Sequence, residues 1–229
     1  MANVFFEYMN DGLKSKENTD NSPRPVITIG REYGCYSTEI AKLLVKKINQ
    51  KKSIHQKWEC VSGQVLDAVA ERLNVPVSKV SHIFGANEKG IVEDFFSSFS
   101  VTNQNISDSV IISTIADIMT TSINKGNVVI VGRAGCIFAK NNPKALHVRI
   151  VAPFDWRVQS VMKRYKFSEA QAKKQVLEID EKRRLFMTYY NAYNRDYELF
   201  DIILNRATLS NDEIVSAIIH VAESRSLLV

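Results

Sequence analysis

The sequence predicts an α/β fold: a three-layer sandwich in which a parallel five-stranded sheet carries helices on both faces, with a helical lid or insertion at one end. Three observations predict it. Short, nearly continuous runs rich in Val and Ile occur at residues 26–29, 128–131, 146–151 and 201–205, as strands buried on both faces require. Longer segments with apolar residues at helical spacing lie between them. The two kinds of segment alternate along the chain, and parallel strands joined by crossover helices produce that alternation. Four of the five strands are located in this way.

Taken in order, residues 1–24 read as a flexible leader, because residues 10–24 are polar, contain Gly and Pro, and show no apolar period. Ordered structure is expected from Pro25. The run Val26-Ile27-Thr28-Ile29 ends at Gly30, and a loop follows through Tyr36. Ser37 then reads as the cap of a helix whose apolar positions include Ile40, Leu43, Leu44 and Ile48. Residues 61–73 and 106–124 read as helices. Between them the Gly-containing segment 84–90 and the cluster Phe95, Phe96 and Phe99 suggest a mobile insertion, taken as residues 55–105. Asn124 to Asn127 stops the second of these helices before the strand 128–131. Helices are further expected over 154–164, 168–192 and 211–224, with 160–192 as a lid and 25–229 as a single domain.

Composition narrows the function. The length of 229 residues with 45% hydrophobic residues is enough to bury a real core. No apolar run reaches the roughly 18 residues of a membrane span, and the first residues lack the pattern of a secretory signal. Cys35, Cys60 and Cys136 are scattered without metal-ligand or disulfide spacing, which fits a reducing, cytoplasmic setting. The net charge of +5 suits a pocket for a small polyanion as well as it suits nucleic acid. No nucleic-acid-binding motif accompanies it, so none is expected as a partner. Oligomeric state is left open.

Ligands of open α/β sheets bind beyond the carboxyl ends of the strands, and three such ends carry informative residues. The first is the loop containing Gly30, Arg31, Gly34, Cys35, Tyr36, Ser37 and Thr38. Small residues before a helix let backbone N–H groups face an anion, and Ser37 or Thr38 could ligate Mg²⁺. The lysine of a standard phosphate loop is missing, so an ordinary strand-to-helix turn fits this loop equally well. The second is Gly132-Arg133-Ala134-Gly135, where a guanidinium beside glycines suits a phosphate. The third is the basic stretch with Arg157, Arg164, Asp180, Arg183 and Arg184. Arginines on a mobile helical pair can close over transferring phosphates, although a solvated helix with local ion pairs explains the same spacing.

Together these segments resemble the cytidylate-kinase-like family of P-loop nucleoside-monophosphate kinases. The matching pieces are residues 27–34, Glu39 to Leu44, Val129 to Arg133, Val148 to Arg157, Val161 to Arg164, Asp180 with Arg183, Tyr189-Tyr190, and Phe200 to Asn205. The resemblance spans about residues 25–222 and is patchy over 55–105. It implies a P-loop NTPase-type fold and ATP-dependent phosphoryl transfer, with Mg²⁺, to a nucleoside monophosphate of the CMP kind. It further implies that residues 30–38 hold the ATP phosphates, that Gly132 and Arg133 hold the acceptor, and that Asn205 and Arg206 lie near the adenine. Arg157, Arg164, Arg183 and Arg184 would form the lid, oriented by Asp180.

The chain departs from the family in the loop itself, where Ser-Gly-Gly-Arg is replaced by Cys35-Tyr36-Ser37-Thr38. Tyr36 puts a bulky side chain where the backbone should approach a phosphate, and Arg31 is the residue expected to replace the lost charge. On this view Tyr36→Gly should raise ATP affinity. Two functions remain open: a kinase with an altered loop, and a non-catalytic nucleotide- or anion-binding protein that keeps the scaffold.

Overall fold

The structure is a computed structural model that describes residues 22–81, 107–189 and 198–228. Most of the leader, the segment containing Asn87 and the three clustered phenylalanines, and residues 190–192 of the expected long helix lie outside the described residues.

The described elements, in chain order, are β1 (Val26–Arg31), α1 (Ser37–Asn49), β2 (Glu59–Val61), α2 (Gln64–Leu73), α3 (Val77–Ser81), α4 (Asp108–Lys125), β3 (Val128–Val131), α5 (Gly135–Phe138), β4 (Ala145–Val151), α6 (Phe154–Tyr165), α7 (Glu169–Tyr189), β5 (Ile202–Asn205) and α8 (Asn211–Ser224). The five strands are parallel and ordered β2-β3-β1-β4-β5. β1 is therefore central and is flanked by β3 and β4. The chain turns to one side of β1 and then to the other, which opens a crevice at the carboxyl ends of β1, β3 and β4.

β-Branched residues fill both faces of the central strands. On one face Val26, Val128 and Ile130 pack with α2 and α4. On the other, Ile27, Ile29, Val129, Val131, Leu146 and Val148 pack with α1 and α8. Most of these side chains are fully buried, each worth about 1.5–3 kcal/mol relative to exposure. Deleting one, for instance by Ile27→Ala, would cost about 2–5 kcal/mol through lost burial and the cavity left behind.

Two expectations are corrected. The segment predicted as a helix from residue 61 begins with an edge strand, β2, and its helix starts only at Gln64. β2 pairs with β3, and its neighbour Trp58 ties it to the end of α1, its backbone exchanging hydrogen bonds with the Asn49 side chain at 2.8 and 2.9 Å. Ser37 is not the cap of α1. Tyr36 occupies that position in a left-handed conformation with no side-chain cap, and Ser37 is the first helical residue. A reciprocal capping box starts α8 instead, with Ser210 and Glu213 each bonding the other's backbone N–H.

The helices α6 and α7 share a separate small core, in which Val158 and Val161 meet Ala172, Val176 and Ile179. Tyr33, from the loop after β1, inserts into this core. The expected lid pair is thereby tied to the loop it faces.

Candidate active site

β1 delivers Gly30 and Arg31 to its carboxyl end, and the loop 32–36 leads directly into the N-terminus of α1. Gly34 has φ +92, and a Cβ there would lie 3.0 Å from the Arg157 carbonyl oxygen, so the turn requires glycine. Cys35 is buried, and burial pushes its thiol up to about 12, which disfavours the thiolate. Burial likewise pushes the Tyr33 phenol above its usual range. Tyr36 has φ 48 and ψ 43. Ser37 is buried and its Oγ has no hydrogen-bond partner.

Arg157 holds this loop in place. Its Nε donates to the Ala152 carbonyl at 3.0 Å and its Nη1 to the Tyr33 carbonyl at 3.2 Å. The same guanidinium is 2.5 Å from Asp180 Oδ2 and 3.3 Å from Glu32 Oε2. Asp180 Oδ1 accepts from the Tyr33 backbone N–H at 2.8 Å, and Glu32 Oε2 from that of Ala152 at 3.0 Å. Arg157 is only 7% exposed. Arg157, expected as a lid arginine, is here buried and shared among two carboxylates and two carbonyls, the arrangement of a clamp on the loop. Asp180, expected to orient lid arginines, pairs with Arg157 at 2.5 Å and lies 4.0 Å from Arg183 Nη1.

Two cavities meet at the loop. The first, of about 210 Å³, is lined by Gly34, Tyr36, Ser37, Thr38, Glu39, Lys42, Arg164 and Tyr165. The second, of about 260 Å³, is lined by Gly30, Gly132, Arg133, Cys136, Arg149, Asp180, Arg184, Phe186, Met187 and Phe200. Arg31, Glu32, Tyr33 and Arg183 line both. The second cavity thus has five arginines on its walls and two carboxylates, Glu32 and Asp180, both engaged by Arg157. Its surplus of positive charge suits a compact anion. Glycine is required where its floor is tightest. A Cβ on Gly30 would fall 2.6 Å from the Phe200 ring, and one on Gly132, at φ +70, would fall 1.5 Å from Arg31 Nη1.

The structure brings most of the expected residues together, in two groups. Gly34, Tyr36, Ser37, Thr38 and Arg164 surround the first cavity; Gly30, Gly132, Arg133 and Arg184 surround the second. Arg183 stands between them, donating to the Arg31 carbonyl at 3.4 Å with its guanidinium 5.6 Å from the Tyr33 ring centroid. Cys35 lines neither of the two. Nor do Asn205 and Arg206, which the structure does not bring to the site. Asn205 Oδ1 accepts from the Ala207 N–H, and Arg206 donates to the Leu209 carbonyl beside Trp156.

Sequence reasoning missed Glu32, Lys42, Arg149, Phe186 and Phe200. Arg149 carried a signal: it is a permanent charge inside a mostly apolar strand, in register with Gly30 and 5.4 Å from the Phe200 ring. The others become visible only when distant elements meet.

The first cavity fits the phosphates of a nucleotide. The N-terminus of α1 offers N–H groups without intrahelical partners, Ser37 offers an orphaned buried hydroxyl, and Lys42, Arg164 and Arg183 offer positive charge. Ser37 and Thr38 are the residues that would hold Mg²⁺ beside those phosphates. Among the described residues no cluster of His, Cys, Asp and Glu could hold a metal by itself, and no helix is long and apolar enough to cross a membrane.

No curated protein matches the chain. Among solved structures, an uncharacterized protein from Eubacterium ventriosum is 20% identical, with a TM-score of 0.63 over 88% of this chain and 99% of its own. Shikimate kinase from Bacteroides thetaiotaomicron is 13% identical, with a TM-score of 0.51 over 87% of this chain and 98% of its own. These likenesses establish the fold, that of the P-loop kinases. The sequence pattern of the cytidylate kinase-like family matches residues 26–208, from the first residue of β1 to just beyond β5, and the chain belongs to that family.

Proposed function

We propose that the protein transfers a phosphoryl group from ATP to a small phosphorylated acceptor, a nucleoside monophosphate of the CMP kind. The observation that carries this reading is the pair of cavities joined along Arg31, Glu32, Tyr33 and Arg183. A phosphate-binding cavity at a helix N-terminus and an arginine-lined cavity share one wall, so a donor and an acceptor would meet there. Bound ATP with Mg²⁺ would supply the γ-phosphoryl group and neutralise part of its charge.

The chain's own residues supply position and electrostatics, which dominate in phosphoryl transfer. Ser37, Thr38 and the first turn of α1 hold the donor phosphates. Arg133 and Arg31 hold the acceptor's anionic group above Gly132. Arg183, on the shared wall, stabilises charge on the group in flight. The Arg157 clamp fixes Asp180 and with it the approach of Arg183 to the loop.

The test is a panel of nucleoside monophosphates incubated with ATP and Mg²⁺ and assayed for ADP. Acceptor-dependent ADP release, greatest with CMP, is expected. Failure of every acceptor, together with no nucleotide binding by calorimetry, would overturn the reading. The replacement of small loop residues by Cys35 and Tyr36 supports a second reading, a nucleotide sensor without turnover. That reading is the one left standing if nucleotides raise the melting temperature and no ADP appears.

A further inference from the structure

We infer that Tyr36 is a positioning residue that recruits Arg164 from α6 to supply the positive charge missing from the phosphate loop. The inference rests on the first cavity being the donor-phosphate site proposed above.

Residues 32–38 contain no Lys or Arg, so the charge beside the loop must come from elsewhere in the fold. Arg31 was the sequence-based expectation, but its guanidinium lies against Gly132, on the wall that the two cavities share. Arg183 also stands on the shared wall, reaching the Arg31 carbonyl and the Tyr33 ring, and Lys42 lies a turn further along α1. Arg164 comes to the mouth of the donor cavity from more than a hundred residues away, and Tyr36 holds it there. Its guanidinium lies 4.2 Å from the Tyr36 ring centroid, and its Nη1 is 2.5 Å from Glu39 Oε1 on the first turn of α1. The Tyr36 hydroxyl donates to the Ser160 carbonyl on α6 at 3.3 Å. The ring is therefore set against α6 as a platform for the cation.

The backbone supports the same conclusion. Tyr36 is left-handed, a conformation glycine takes freely and a bulky L-residue resists. A glycine would serve the turn better, so the tyrosine's contribution lies in its ring. Glu39 pairs with Arg164, and an arriving phosphate competes for the same guanidinium. Tyr36 keeps the cation in place through that exchange.

The experiment measures binding of ATP with Mg²⁺, and of inorganic tripolyphosphate, to the full chain by calorimetry. The variants are Tyr36→Gly, Tyr36→Phe, Arg164→Gln and the double variant Tyr36→Gly/Arg164→Gln. Tyr36→Gly is expected to weaken both ligands about tenfold, the worth of one charge-assisted contact, with an unchanged or raised melting temperature. Arg164→Gln should lose a similar factor, and the double variant no more than either alone. Tyr36→Phe, which keeps the ring, should restore most of the binding lost in Tyr36→Gly. If Tyr36→Gly binds as well as the wild type or better, the tyrosine merely crowds the loop and the inference fails while the kinase reading stands. Additive losses accompanied by a lower melting temperature also overturn it, since they mark a structural role. If the wild type binds neither ligand, the donor site itself is refuted and the inference falls with it.

Discussion

Replacing Arg157 by Met separates two roles for that residue, because Met keeps an apolar stem and removes only the guanidinium. In the wild type that group serves Asp180 at 2.5 Å, Glu32 at 3.3 Å and the carbonyls of Ala152 and Tyr33. Removal leaves two carboxylates close together without a common cation. Breaking a fully buried ion pair costs about 3–5 kcal/mol. Asp180 and Glu32 side chains are 29% and 27% exposed, so water relieves part of the cost and the low end, about 3 kcal/mol, applies. For a domain of this size each kcal/mol moves the melting temperature by roughly 2–4 °C, giving a fall of about 6–12 °C. Thermal unfolding followed by circular dichroism at pH 7 measures it. Asp180→Asn on the Arg157→Met background should cost less than on the wild type, because the orphaned carboxylate is then neutral. A shift below about 2 °C accompanied by lost turnover would refute the clamp and reinstate Arg157 as a mobile arginine.

Gly132→Ala puts a Cβ on Arg31 Nη1 at a position with φ +70; with about 1–2 kcal/mol of left-handed strain it displaces a side chain that lines both cavities, and on the proposed function it should raise the KM for the acceptor and for ATP together. Ser210→Ala removes half of the capping box on α8 and should cost about 1 kcal/mol, read as a melting-temperature loss of roughly 2–4 °C. His147 provides a pH signature. Burial, reinforced by Arg225 and opposed by Asp201, holds its imidazole below 6.5, and Thr28 Oγ1 lies 2.7 Å from its Nδ1. The unfolded chain therefore binds the proton first, so this contribution is intact above pH 6.5 and is lost as pH falls through the lower folded value. Urea midpoints at about pH 7.5 and 5.5 should differ by more in the wild type than in His147→Asn.

The core of the fold was legible because β3 and the first four residues of β1 are buried on both faces and β-branched throughout, and β4 keeps Leu146, Val148 and Ile150 on its buried face. β2 was not, since three residues at a sheet edge, Glu59-Cys60-Val61, carry no period and owe their strand to pairing with β3. Gly34 and Gly132 were legible as turn residues and Gly30 as the end of the first apolar run, although what crowds them was not: Arg157, Arg31 and Phe200 arrive from elsewhere in the chain. Arg157 shows the limit most clearly. Its place on a basic helix suggested mobility, and only Glu32 and Asp180, 125 residues before it and 23 after, reveal it as buried. The orientation of Tyr36 was equally hidden, because it depends on the left-handed backbone and on α6 lying alongside.

The wall shared by the two cavities limits how such a protein can diversify. A substitution at Arg31, Glu32, Tyr33 or Arg183 touches both ligands at once, so neither affinity can be adjusted there alone. By linkage, whatever one ligand does to this wall the other must feel to the same degree. On the proposed function, acceptor preference can change at residues that meet only the second cavity, such as Arg133, Arg149, Arg184, Phe186, Met187 and Phe200, and the donor side at residues that meet only the first, such as Thr38, Lys42 and Tyr165. Relatives that accept a different molecule should differ first at the residues on the outer walls, with Arg31 and Arg183 held constant.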